Sequence, residues 1–143
     1  MSEEKVNAGV CVVILDPSGR VLMGKRKGAH GAGTWSVPGG WINTSDVDLI
    51  AAAKREVLEE TGLTIYELRV VDATLSHFPG RSSVTIMMLA LAFLGVPAAL
   101  ESEKLDGDWL WFDPSALPSP LFAPLLNSAF FMDLRNGSHT LLQ

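Results

Sequence analysis

The chain has 143 residues, 48% of them hydrophobic and 19% charged, with a formal net charge of −5. Length and composition predict a single globular domain over residues 1–143, with enough apolar mass for a real core. The acidic balance argues against a general nucleic-acid binder, whose affinity rests on a basic surface. It leaves room for a phosphate-bearing small molecule wherever metal ions offset the charge locally.

The polar, acidic start MSEEKVNAG reads as free of a secretory signal. The next stretch, Val6 to Leu15, is rich in β-branched residues and predicts a strand ending in DPSGR, a turn with Pro at its second position. The only cysteine, Cys11, lies in the apolar run VCVVIL and is expected to be a buried, inert thiol. Val21 to Lys25 reads as the returning strand of a hairpin. A basic cluster, Lys25-Arg26-Lys27, follows on an otherwise acidic chain, then the glycine-rich loop KGAHGAGTW and a short strand, Trp35 to Val37, before Pro38-Gly39-Gly40.

Ser45 to Glu60 is the strongest helix signal. Ser45 with Asp48 three residues on resembles a capping box, LIAAAKREVLEE is built of good helix formers, and Gly62 closes the C-terminal side. Leu49, Ala52, Ala53, Val57 and Leu58 supply an apolar face. After it, LTIYELRVVDATLS, SSVTIMMLALAFL and DWLWF read as strands, the last with Trp109 and Trp111 on one face. The longest apolar run, Val84 to Leu94, is too short to span a bilayer as a helix. Leu121 to Leu134 is predicted as a terminal helix. Strands on both sides of a central helix point to α+β or a compact α/β sandwich rather than a doubly wound sheet.

The chemistry concentrates in REVLEETG. Glu56, Glu59 and Glu60 are three and four positions apart, which puts them on one face of a helix. Such a triplet is either a solvated acidic face or a site for a hard cation, since Mg²⁺ and Mn²⁺ prefer carboxylate oxygens. The Gly-Gly loop before the helix and the upstream basic cluster favour the second reading, because carboxylates, a divalent ion and an arginine together can hold a pyrophosphate and activate water against it.

REVLEETGL resembles the second half of the Nudix box, and VLMGKRKGAHGAGTWSVPGG, VTIMM, DWLWFD and LPSPLFAPL resemble a Nudix subgroup of MutT-like nucleotide diphosphatases. The resemblance implies an α/β/α sandwich with a mixed sheet and a loop-helix-loop box. It implies Mg²⁺, with Mn²⁺ as the alternative, held by Glu56, Glu59, Glu60 and the carbonyl of Gly40, with Glu103 of ESEK assisting and Glu101 second to it. It makes Arg55 the residue that orients a catalytic glutamate, Glu56 or Glu59 the base, and Arg26 and Phe122 substrate neighbours; homodimers are common in that family. Trp35 and Trp41, which flank the Gly-Gly loop, are candidates to stack on a base.

The first half of the box departs from the pattern. Counted back from Arg55, the glycine and glutamate positions hold Trp41 and Val47; counted forward from Gly40, the glutamate position holds Asp46. One inserted residue, with Asp in place of Glu, accounts for both counts. His30, His77 and His139 show no metal-ligand spacing; His30 and His77 could flank the site on loops, though each reads first as a surface histidine. Ser82, Ser83 and Thr85 form no nucleophile arrangement with a histidine, and the Met87-Met88 pair reads as core.

These observations predict a cytoplasmic metal-dependent pyrophosphohydrolase. Its substrate is a small-molecule diphosphate, a nucleoside di- or triphosphate, with neither nucleic acid nor membrane as partner. Two alternatives remain open on sequence: a hydrolase of a non-nucleotide diphosphate, and a Nudix-like nucleotide sensor that has lost catalysis through its altered loop.

Overall fold

The computed structural model describes residues 5–28 and 30–137, so His139 lies outside the described residues. In chain order the elements are β1 (Val6–Ile14), β2 (Val21–Lys25), β3 (Trp35–Ser36), β4 (Gly39–Trp41), α1 (Leu49–Thr61), β5 (Thr64–Phe78), β6 (Arg81–Leu94), β7 (Leu110–Phe112), α2 (Ala123–Leu126) and α3 (Ala129–Asn136). A mixed sheet has the order β4-β1-β6-β5, and a smaller one the order β3-β2-β7. β1 runs parallel to β6, while β4 on β1 and β5 on β6 are antiparallel.

The unbroken apolar run of β1 follows from coverage of both sheet faces. Val10, Val12 and Ile14 join a core with Ala52, Ala53 and Val57 of α1; the alternate residues Cys11, Val13 and Leu15 join a second core with Leu125, Phe131 and Leu134. β6 divides in the same way, Met88 and Ala90 to the α1 side, Met87 and Leu89 to the other. At roughly 1.5–3 kcal/mol for each large apolar side chain removed from water, these two cores hold the sandwich. The expected mixed α/β/α architecture is therefore present. No helix among the described residues is long and apolar enough to cross a membrane.

Three expectations need correction. Val21–Lys25 forms a strand over the predicted residues but does not return along β1: both edges of β1 are occupied, by β4 and β6, so β2 crosses into the second sheet and leaves only a Leu15–Val21 bridge behind. The central helix starts at Leu49, not Ser45; its cap is Asp48, whose side chain accepts from the Ala51 N–H at 2.7 Å. The terminal segment is two short helices rather than one. Ser128 breaks it by capping α3, accepting from the Phe131 N–H at 3.0 Å while donating to Asp72 of β5 at 2.7 Å.

Candidate functional site

The site is built where the N-terminal sheet edge meets α1. β4 places Gly39 and Gly40 beside the buried face of the helix, and neither glycine tolerates a side chain. A Cβ on Gly39 would run into the Val10 carbonyl, and one on Gly40 into the Glu56 carboxylate. The missing side chain at Gly40 is thus the space that Glu56 occupies.

Arg55 organises the surrounding acids. Its Nε donates to Asp46 Oδ1 at 2.8 Å and its Nη2 to Asp46 Oδ2 at 2.9 Å, a bidentate pair. Nη2 also donates to the Trp41 carbonyl at 3.0 Å, and Nη1 to Glu56 Oε1 at 2.9 Å and more loosely to Glu59 at 3.3 Å. Hydrogen bonding to Arg55, then to the Asn43 N–H, holds the Asp46 carboxyl down at about 2; the same network, led by Asp46, raises Arg55 further above its usual range. The inserted residue is absorbed in the turn from Asn43 to Asp46, closed by Asp46 N–H to the Asn43 carbonyl at 3.0 Å and by Asn43 N–H to Asp46 Oδ2 at 2.8 Å. Asp46 therefore does not cap the helix; both of its carboxylate oxygens are engaged by Arg55.

The remaining glutamates are held differently. Burial raises the Glu56 carboxyl despite Arg55. Burial first, then the charge of Glu56, pushes Glu60 up to about 8, although Glu60 Oε1 accepts from the Gly39 N–H at 3.0 Å. Trp109 Nε1 donates to the Glu60 carbonyl at 3.1 Å and so ties the end of α1 to the loop before β7. Two neighbouring carboxyls, mostly withdrawn from water and lacking full compensation, are a donor set that a hard divalent cation fits. As placed, no three His, Cys, Asp or Glu side chains among the described residues meet at one point. Arg55 takes up oxygens of both Glu56 and Glu59, so cation binding requires Glu59 to leave its looser bond.

All three glutamates open onto a cavity of about 620 Å³. Arg55, Gly40, Trp41, Arg26, Phe122 and Glu103 line it too, so of the sequence candidates Trp35 and the second-choice Glu101 stay outside it. The Trp35 ring meets Phe112 edge-on at 5.4 Å and packs on the second core. Glu103 is an exposed member of the lining, while its neighbours Glu101 and Lys104 pair at 3.3 Å. Phe122 stands in the cavity wall, where Arg26 sits 4.0 Å over its ring and Phe78 stacks on it at 5.9 Å.

Sequence reasoning gives no binding role to three lining residues, Lys104, Arg81 and Ser83, and reads a fourth, His30, first as a surface residue. His30 is not a free surface histidine; its ring lies 4.2 Å from Phe78 and 5.8 Å from Phe122, and burial followed by Arg26 and Arg81 lowers its pKa. Lys104, Arg81 and Ser83 also reach the cavity. Only the alternation of β6, which points Ser83 and Thr85 the same way, was available as a signal for any of them.

The sequence model of the NUDIX domain matches residues 5–131. The oxidized purine nucleoside triphosphate hydrolase of Danio rerio is 35% identical over 109 residues, 75% of this chain and 66% of that protein. The RNA pyrophosphohydrolase of Caulobacter vibrioides is 39% identical over 66 residues, 46% of this chain and 37% of that protein. The chain thus spans just under two thirds of the first of these relatives and a little over a third of the second. Among solved structures, the MutT NUDIX hydrolase from Burkholderia pseudomallei superposes with a TM-score of 0.79 at 27% identity, covering 93% of this chain and 98% of that one.

Proposed function

The chain belongs to the NUDIX domain family, and on that premise we propose that it is a Mg²⁺-dependent pyrophosphohydrolase of nucleoside di- or triphosphates, modified purine nucleotides included. The observation that carries this reading is the pairing of the buried Glu56–Glu60 carboxyls with a cavity whose other walls are cationic and aromatic. Glu56, Glu59, Glu60 and the Gly40 carbonyl would hold the ion, with Glu103 able to assist from the loop; Mn²⁺ suits the same donors. A divalent ion held there would supply charge neutralisation for the phosphates and activation of water.

Each remaining role falls to a side chain. Glu59, the most exposed and most loosely held of the three, takes the proton of the water that attacks phosphorus. Arg55 keeps Glu56 in place from one amino group while Asp46 anchors the rest of the guanidinium. Arg26 draws the phosphates toward the site, and Phe122, with Trp41 at the mouth, offers flat surface to a base.

The aromatic wall favours a nucleotide over a prenyl or sugar diphosphate. The Asp46–Arg55 pair tells against a sensor that has lost catalysis, since the altered loop still reaches the arginine. A free nucleotide rather than an RNA end, a cytoplasmic location and a homodimer belong to the same proposal. Release of phosphate and pyrophosphate, followed by ion chromatography across normal, oxidised and methylated nucleoside triphosphates, diphosphates and ADP-ribose with and without Mg²⁺, tests it. Mg²⁺-dependent turnover of a nucleotide is expected; binding without turnover across the panel would establish the sensor instead.

A further inference from the structure

Arg81 carries the least expected charge in the cavity. It closes the turn Phe78-Pro79-Gly80-Arg81 between β5 and β6, paired in register with Phe78, with Gly80 at φ 74° supplying the left-handed residue. From there its guanidinium reaches back over the sheet edge to lie 5.2 Å above the centroid of Trp41. The chain is acidic, with 16 Asp and Glu against 11 Lys and Arg. Yet Arg81 makes no ion pair with a carboxylate among the described residues, and neither does Arg26.

The platform beneath Arg81 is fixed from both sides. The Trp41 carbonyl is held by Arg55, and the indole lies 3.6 Å from where a Cβ on Gly9 would stand. The second unpaired guanidinium, Arg26, rests in the same manner on Phe122, and both arginines act on the one imidazole of His30. Two guanidiniums resting on aromatic rings, both near His30 and lining the same cavity as the carboxylates, make a second anionic subsite. A solvent-exposed cation–π contact is weak, whereas a guanidinium can bind phosphate through two parallel charge-assisted hydrogen bonds. An arriving phosphate therefore displaces the ring from Arg81.

We propose that Arg81 binds a third phosphate, beyond the two engaged at the carboxylate wall, and so selects nucleoside triphosphates over diphosphates. The proposal rests on the reading of the cavity as a diphosphate-hydrolysing site, and two measurements separate its failure from the failure of that reading. The first is metal-free binding: inorganic tripolyphosphate and pyrophosphate are titrated in EDTA while tryptophan fluorescence is followed. Tripolyphosphate is expected to give a saturable change in the wild type that is absent in Trp41→Phe, with an affinity about tenfold weaker in Arg81→Gln; pyrophosphate binding should differ far less. The second is kinetic: Arg81→Gln should raise KM for a nucleoside triphosphate about tenfold more than KM for the matching diphosphate, with kcat little moved, and Arg81→Lys should fall between. Equal effects on the two substrates, or unchanged tripolyphosphate binding, would overturn the role of Arg81 while leaving the hydrolase reading intact. Arg81-dependent tripolyphosphate binding in a protein that turns over no nucleotide would instead support the subsite and sink the hydrolase reading.

Discussion

Asp46 grips Arg55 with both carboxylate oxygens, at 2.8 Å to Nε and 2.9 Å to Nη2. This pair carries the box across its inserted residue: the loop is longer and the acid shorter, yet the arginine that steadies Glu56 is held from behind. An Asp46→Ala variant is expected to fold, to retain substrate affinity, and to lose about 10- to 100-fold in kcat, because misplacement of a positioned group by about an ångström costs that much. Asp46→Glu should lose less. Steady-state kinetics on the three proteins check the order.

The same pair has a pH signature. The Asp46 carboxyl is held at about 2 in the folded chain against an ordinary 3.8. A lowered folded pKa contributes stability that is complete above the ordinary value and is lost as pH falls through the folded one. The wild type should thus lose an Asp46-dependent increment between about pH 4 and pH 2. Urea melts across that window should be steeper in pH for the wild type than for Asp46→Asn; parallel curves would remove the pair from the stability account.

Gly40 is the steric partner of Glu56. Gly40→Ala forces a Cβ into the carboxylate, so a stability cost of about 1–3 kcal/mol is expected together with a loss of activity of about 100-fold. Gly9→Ala presses on the same strand more gently, its Cβ 3.2 Å from the Gly40 carbonyl, and should cost less in both stability and rate. Thermal melts and rates measured on both variants separate the two effects.

A divalent ion should stabilise the fold through Glu56 and Glu60, whose mutual repulsion nothing else fully offsets. Mg²⁺ at about a hundred times its Kd should add about 2.7 kcal/mol of stability, since it binds only the folded chain. Differential scanning fluorimetry in Mg²⁺ and in EDTA measures this. Glu60→Gln and Glu56→Gln should each shrink the Mg²⁺-dependent rise in Tm.

Away from the cavity, Ser128→Ala removes the cap of α3 and the bond to Asp72 together. A loss of about 1–2 kcal/mol is expected, with turnover unchanged. A comparable drop in kcat would mean that α3 supports the site in some further way.

Much of this site was readable because its carboxylates sit within one helix. Spacing alone places Glu56, Glu59 and Glu60 on a face, and Gly62 marks the helix end that the structure shows. The start of α1 was not readable in the same way. Ser45, Asp46 and Asp48 all suit a cap, and only the reach of Arg55 decides that Asp46 serves the arginine while Asp48 caps the helix. The β1–β2 hairpin failed for a similar reason, because local sequence does not reveal that distant β6 occupies the free edge of β1. Arg81 at the start of β6, His30 in the glycine-rich loop and Phe122 before α2 are remote in sequence, and no spacing rule joins them; their meeting is a property of topology alone.

The most direct test of the account is the initial rate of Mg²⁺-dependent nucleoside triphosphate hydrolysis by the wild type, Glu59→Gln and Glu60→Gln, each with an unchanged circular dichroism spectrum. The wild type should turn over only with a divalent ion, and each substitution should lower kcat by about 100-fold or more. Turnover that persists unchanged in both variants would place the chemistry elsewhere in the molecule.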